Sequence, residues 1–318
     1  MDKRGFEFSF AWMFALIVGA IILFLALYVS TEIIRGSSYQ RDTEIAKELT
    51  ILFDPFETGF AASKVDTITL PTLTRVFNDC SSKGIFGSQI VSSSQQNFGK
   101  WSDPGGDIKV NNRYVFSREV EEGKKLYLFS KNFEMPFKAA EIIIMTSKKY
   151  CFKDLPNNIA DTLENLNLEN FEFSTCSPGS ISACRYPGAC DVQIEDLCIA
   201  GVDCDDPYDY GYVLRKGDTK RMYYQGNLIY AAMFSTPNLY ECNVKRLSQR
   251  VAQLSRLYKD QNSFSRGCGN IIEAPLVQLA GNAESLTSSV GLSALWDDAQ
   301  TVRDIHDTLN DDCRIWVK

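Results

Sequence analysis

The sequence of 318 residues predicts an α+β protein: a single N-terminal transmembrane helix and stalk, a β-rich disulfide-containing ectodomain, and C-terminal antiparallel helices. Three observations carry that expectation. Residues 8–31 (FSFAWMFALIVGAIILFLALYVST) hold no charged side chain. From Lys64 to about Ala232, short runs of β-branched and aromatic residues alternate with turn clusters. From residue 241 onward the apolar residues return to helical spacing.

At about 1.5 Å per residue the apolar run makes roughly 36 Å of helix, enough to cross a hydrocarbon core of about 30 Å with some tilt. A cleaved signal has an apolar region of about 7 to 15 residues ending in a small-x-small site. This run is longer, and only Val29-Ser30-Thr31 resembles such a site, so a retained anchor is expected. Residues 32–54 read as a juxtamembrane helical stalk. Ile45, Leu49 and Leu52 recur at helical spacing beside Arg41, Glu44, Lys47 and Glu48, after an interruption at Gly36-Ser37-Ser38. The stalk is expected to end near Asp54-Pro55, because a residue before proline resists the helical conformation.

Orientation follows from cysteine. Lys3 and Arg4 precede the span while Arg35, Arg41 and Lys47 follow it, so basic residues alone leave the topology open. The ten cysteines are Cys80, Cys151, Cys176, Cys184, Cys190, Cys198, Cys204, Cys242, Cys268 and Cys313, with no CxxC among them. An even, widely spaced set predicts disulfides in an oxidising compartment rather than a zinc ribbon or a redox motif. Residues 1–7 would then be cytoplasmic and the rest of the chain, beyond the cell membrane, extracellular. Buried cytosolic thiols are the alternative. Hydrophobic residues at 45% and charged ones at 23% fit a folded ectodomain. A net charge of −7 without a basic run argues against nucleic-acid binding.

Residues 55–240 form the expected β-rich ectodomain. Thr67–Leu70, Tyr114–Phe116, Leu126–Phe129 and Ile142–Met145 read as strands, punctuated by turns such as Asp103-Pro104-Gly105-Gly106. Glu121-Glu122-Gly123-Lys124-Lys125 reads as a hairpin tip joining Tyr114–Val120 to Leu126–Phe129. Tyr223–Ile229 reads as another, around Gly226-Asn227. One helix interrupts the strands at residues 158–167, with Ile159, Leu163 and Leu166 on one face. The Cys-rich lobe at 176–204 contains Pro178-Gly179 and Pro187-Gly188. It is too poor in apolar runs to hold itself by burial, so bridges of about 2 to 4 kcal/mol each would hold it. Its five cysteines are an odd number, and Cys151 is the first candidate for an outside partner.

Residues 241–318 predict a C-terminal helical hairpin. Val244, Leu247, Val251, Leu254 and Leu257 form a stripe with basic and polar residues opposite. Leu276–Val290 and Leu292–Leu309 follow, divided at Gly291. Antiparallel packing would bring Cys242 and Cys313 to one end, which predicts that they pair. Cys268 would then be tied to the strand region.

Candidate chemistry is sparse. His306 is the only histidine and lies in a charged helical segment, where an exposed or capping imidazole is expected rather than a catalytic one. No G-x-S-x-G, H-E-x-x-H, Walker loop or G-x-G-x-x-G accompanies it. Asp203, Asp205, Asp206 and Asp209 lie close enough in sequence to supply half of a calcium shell, with Tyr208, Tyr210 and Tyr212 as walls. The EF-hand pattern is absent, and a solvated acidic turn is the alternative. In the span, Ala11, Ala15, Gly19 and Ala26 share one face on which a neighbouring helix could approach closely.

Lys3-Arg4-Gly5 followed by Phe6-Glu7 and a long apolar helix resembles the N-terminus of type IV pilin-like proteins, particularly archaeal class III signal sequences. The resemblance implies cleavage by a membrane peptidase between Gly5 and Phe6, and packing of the apolar helix into a filament core. It covers about the first 30 residues. Phe10 stands where the bacterial family has its acidic residue, Glu7 is second after the cut, and the archaeal family's Gln is missing. The stretch from Ala231-Ala232-Met233-Phe234 to Leu247 is similar to archaeal membrane-anchored proteins without an assigned activity. The expectation is a single-pass, extracytoplasmic structural or interaction protein, with a lateral helix or surface-protein partner and no catalysis. An extracytoplasmic hydrolase or a ligand-binding receptor ectodomain is the alternative.

Overall fold

The computed structural model describes residues 10–53, 65–198, 208–264, 270–310 and 313–316. Helix α1 (Phe10–Leu52) is followed by a seven-stranded sheet of β1 (Val65–Ser81), β2 (Ser88–Asn97), β3 (Lys100–Trp101), β4 (Ile108–Val110), β5 (Tyr114–Phe116), β6 (Val120–Glu134) and β7 (Lys138–Thr146). Its order is β3-β2-β1-β6-β7-β5, with β4 also on β2. A six-stranded sheet follows, from β8 (Tyr150–Lys153), β9 (Phe171–Phe173), β10 (Ile181–Arg185), β11 (Val192–Asp196), β12 (Tyr210–Arg215) and β13 (Met222–Gln225), ordered β13-β12-β11-β10-β8-β9. Helix α2 (Asn157–Glu164) lies between β8 and β9 and buries Ile159 and Leu163 as the spacing predicts. The chain closes with α3 (Leu228–Phe234), α4 (Pro237–Phe264), α5 (Glu273–Ser285) and α6 (Leu292–Thr308).

The first sheet is apolar on both faces because both faces are covered. Successive strand residues point to opposite sides. Leu126, Leu128, Ile143, Met145 and Val115 therefore meet Ala46 and Leu49 of α1, and Phe53 just past its end, on one side. Tyr127, Phe129, Ile142, Ile144, Tyr114 and Phe116 join the second sheet and helices α3 to α6 on the other. The runs Tyr114–Phe116, Leu126–Phe129 and Ile142–Met145 are thus the fully buried middle of a sandwich-like layer, whereas Thr67–Leu70 buries only Leu70.

Several expectations are corrected. Glu121–Lys125 is not a hairpin tip: β6 runs through it unbroken and pairs with β1, which takes up the irregularity as a register shift between Thr69 and Thr74. Tyr114–Phe116 instead pairs in parallel with Ile142–Ile144 of β7. At Gly226-Asn227 the chain passes from β13 into α3 rather than returning as a strand, and Leu228 to Phe234 are all buried there. Helix α1 continues through Gly36-Ser37-Ser38, since none of these residues removes a backbone donor and a mid-helix glycine costs only about 1 kcal/mol. Its buried residues are Asp42, Ala46, Leu49 and Thr50, with Phe53 buried just past its end, while Leu52 is exposed. Gly291 is the N-cap of α6, but α5 ends at Ser285, short of the expected Val290, and a 3-10 turn over Ser289–Gly291 precedes α6.

The pairing of Cys242 with Cys313 is also corrected. Cys242 is bonded to Cys80, joining α4 to β1 across a sequence separation of 162. Cys151 does reach into the Cys-rich lobe, where it bonds Cys176, and Cys184 bonds Cys190. Cys198 and Cys313 are disulfide-bonded as well. Cys204 and Cys268 lie outside the described residues.

Candidate functional site

Helix α1 changes character along its length. From Phe10 to Tyr39 almost every side chain is exposed, including Phe14, Ile17, Ile21, Phe24 and Leu27, and this part is long and apolar enough to cross a membrane. From Asp42 onward the helix lies on the first sheet. The junction is polar and tight. Ser93 Oγ on β2 donates to the Asp42 carbonyl at 2.7 Å, and Ser102 Oγ donates to Asp42 Oδ2 at 2.5 Å. The Gly106 amide donates to Thr43 Oγ1 at 2.7 Å. Gly105 sits so close to α1 that a Cβ there would overlap the Thr43 nitrogen and the Asp42 carbonyl carbon. Burial raises the Asp42 carboxyl above its ordinary pKa, against the lowering effect of the Ser102 hydroxyl.

Just before this junction, a cleft of about 620 Å³ opens between α1 and the β2–β3 hairpin, with Arg35, Tyr39, Asn97, Lys100 and Trp101 among its walls. One face of Trp101 is covered by the Arg75 guanidinium, 3.9 Å from the ring centroid.

A second polar cluster locks α4 to the sheet. Arg246 is wholly buried, although it belongs to the basic set expected opposite the apolar stripe. Its Nη1 donates to Asn243 Oδ1 at 2.7 Å, to the Arg113 carbonyl at 2.9 Å and to Gln89 Oε1 at 3.2 Å. Its Nε donates to the Phe86 carbonyl at 3.2 Å. Burial lowers its pKa to about 10, which leaves it charged at neutral pH. Gln89 Nε2 donates to Asn78 Oδ1, and Asn78 Nδ2 donates to Ser117 Oγ, so the network crosses β2 and β1 to the segment after β5. Gly87 makes room: its φ is +56°, and a Cβ would overlap the Ser81 carbonyl and crowd the Arg246 side chain. The bridge from Cys80 to Cys242 lies beside this network, two residues from Asn78 and one from Asn243.

The residues singled out in the sequence do not converge. Ala11, Ala15, Gly19 and Ala26 lie on the exposed part of α1, and nothing stands within 4 Å of the position a Gly19 Cβ would take. Asp203, Asp205 and Asp206 lie outside the described residues, as do Gly5 and Phe6. Asp209 accepts the Gly226 amide on its backbone carbonyl at 2.7 Å. Among the described residues no group of three His, Cys, Asp or Glu side chains is placed to hold a metal ion. His306 is not exposed: in the last turn of α6 it is buried and stacks on Trp316, with ring centroids 3.6 Å apart and planes 9° from parallel.

No family model, characterised protein or solved structure matches this chain. The polar groups that position α1 and α4 were missed in sequence because Asp42 and Arg246 both sit among charged neighbours that read as solvated. The only signal of Arg246 is its spacing, three residues after Asn243 on the helix face that also carries Val244 and Leu247.

Proposed function

We infer that this is a single-pass, membrane-anchored structural or interaction protein, pilin-like in design, whose ectodomain lies outside the cell. The division of α1 carries this reading. One continuous helix presents an unpartnered apolar half and then packs its final turns against a sheet, so the ectodomain is held rigidly to whatever the apolar half enters. A flexible linker would leave the domain free to swing; a helix pinned by Asp42, Thr43 and Leu49 transmits position instead. That suits a subunit whose apolar helix associates laterally, with Ala11, Ala15, Gly19 and Ala26 as the face of close approach. The bridges at Cys80–Cys242, Cys151–Cys176 and Cys184–Cys190 support an oxidising compartment for the folded part.

The test is alkaline carbonate extraction of native membranes, with thiol alkylation before and after reduction. The full chain should stay in the pellet, and its cysteines should react only after reductant. Release into the supernatant, or ready alkylation of all ten thiols without reductant, overturns the reading. Mass spectrometry of the mature N-terminus tests the pilin-like part: a start at Phe6 supports it, and a start at Met1 or Asp2 reduces it to a plain anchor.

A further inference from the structure

The two-residue turn between β2 and β3 is unusual in composition. Asn97 pairs with Lys100, leaving Phe98 and Gly99 as the turn, with φ of +49° and +76°. This is the left-handed pair that a tight hairpin needs, and Asn-Gly is the sequence that favours it most. A phenylalanine there bears a backbone cost that asparagine would not. Its ring gains no packing in return, for Phe98 is fully exposed. A lone exposed apolar residue is ordinary on a protein surface; what distinguishes Phe98 is its height along α1.

Ser93 of β2 touches Asp42 of α1. From that contact β2 runs back along the helix, since Asn97, Lys100 and Trp101 stand across the cleft from Ile34, Arg35 and Tyr39. From Ser93 to Phe98 the strand advances roughly 17 Å at about 3.4 Å per residue. From Asp42 to Thr31, the end of the uncharged run, the helix retreats roughly 16 Å at about 1.5 Å per residue. The hairpin tip therefore comes level with the end of the apolar segment. The polar layer on each side of a bilayer is about 5 to 7 Å deep. A bilayer crossed by that apolar run would hold Phe98 within this layer, with Trp101 and the cations Arg35 and Lys100 of the cleft just behind and Asp103 as the cleft's acid. An aromatic pair at the boundary with basic side chains reaching phosphates is the chemistry of an interfacial anchor.

We propose that the β2–β3 hairpin is a second membrane contact, in which Phe98 enters the interface and the cleft between the hairpin and α1 receives phospholipid headgroups. It rests on the reading that the apolar half of α1 spans the membrane. Together the two contacts fix the tilt and rotation of the ectodomain over the bilayer, which one helix alone leaves free.

Tryptophan supplies reporters for both. In the full chain reconstituted into phosphatidylcholine–phosphatidylglycerol vesicles, three single-tryptophan versions retain Trp12, Trp101 or Trp296, the others being changed to Phe. Trp12 lies in the apolar half of α1, and Trp296 lies on α6, across the sheet from α1. Bromines on the acyl chains should quench Trp12, which checks the span. A headgroup nitroxide should quench Trp101 more than Trp296. Phe98→Asn, which suits the turn and so preserves the fold, should lower Trp101 quenching to the Trp296 level. If Trp12 is quenched and Trp101 behaves like Trp296, or if Phe98→Asn changes nothing, the hairpin contact is wrong while the span stands. If Trp12 is not quenched, the span fails and the hairpin contact with it.

Discussion

The guanidinium of Arg246 lies over the Tyr114 ring, 4.8 Å from its centroid, in the interior between α4 and the first sheet. Among the described residues no carboxylate pairs with it; carbonyl and amide oxygens and the aromatic face meet its charge. The helix that begins at Pro237 is therefore fastened by directional bonds as well as by Val244, Leu247 and Val251. Directional bonds fix register where an apolar stripe alone would tolerate sliding.

Arg246→Met keeps the volume and removes every donor. The Phe86 and Arg113 carbonyls and Asn243 Oδ1 lose this donor, while Gln89 Oε1 keeps the Val115 amide, and the loss should cost about 3 kcal/mol. For a domain of this size that is a fall of roughly 6 to 12 °C in Tm. Arg246→Lys should fall between the two, because an ammonium cannot span the forked acceptor set. Thermal unfolding followed by circular dichroism of the detergent-solubilised chain checks both. A Met variant as stable as the original would show that the network contributes nothing net.

The three described bridges with known partners should rank by the loop each closes. Sequence separations of 162, 25 and 6 for Cys80–Cys242, Cys151–Cys176 and Cys184–Cys190 correspond to about 5, 3.5 and 2 kcal/mol of chain entropy. Replacing each pair by Ser and measuring urea denaturation should give losses in that order. Loss of Cys80–Cys242 should also loosen α4, seen as faster amide exchange along Pro237–Phe264. A Cys184–Cys190 deletion that costs more than Cys80–Cys242 would place the energy in local packing rather than in loop closure.

The elements that follow from nearest-neighbour periodicity were legible in the sequence: the long apolar segment, α2 with Ile159 and Leu163, and the stripe of α4 as far as Leu254, although Leu257 is exposed. Pairings that depend on distant strands were not. Glu121-Glu122-Gly123-Lys124-Lys125 has the composition of a turn, yet β1 pairs with it and holds it extended, and Glu121 is buried. Periodicity also counts only apolar residues. It placed the buried face of α1 at Ile45, Leu49 and Leu52, whereas the sheet selects Asp42, Ala46, Leu49 and Phe53, a rotation set by polar contacts to Ser93 and Ser102. The Cys80–Cys242 bridge was illegible for the same reason, since it depends on which face of α4 meets β1.

Leu49 is the residue that should release α1 if shortened. It is buried against the first sheet, and Leu49→Ala removes most of its contact with a surface that cannot follow it. A loss of about 2 to 5 kcal/mol is expected. Because Asp42 and Thr43 hold the turns before it, the predicted signature is local: faster hydrogen exchange from Asp42 to Leu52, with β8 to β13 unchanged. Uniformly faster exchange would mean that α1 and the sheets unfold as one unit.

Glu121 sets a pH dependence of unusual sign for a carboxylate. Its Oε2 accepts from the Ser147 amide at 2.7 Å and from Ser147 Oγ at 2.6 Å, and its Oε1 accepts from the Arg118 amide at 3.3 Å. Burial outweighs these bonds and raises its pKa above 4.5 in the folded protein. Between 4.5 and the raised value the folded state holds more of this proton than the unfolded state does, so stability falls as pH rises through that window. Above the window the full penalty of the ionised buried group is present; below 4.5 it is absent. Asp191 has the opposite sign, since the Ser182 amide and hydroxyl lower its pKa, and its contribution is lost as pH falls. Comparing the chain with Glu121→Gln cancels Asp191, Asp42 and every other shared group. Urea denaturation of the two proteins between about pH 4.5 and pH 8 should give a stability difference that moves in favour of the Gln variant as pH rises through the window and levels off above it. A flat difference, or one that moves toward the original chain, would mean that Ser147 and Arg118 stabilise the carboxylate more than burial penalises it.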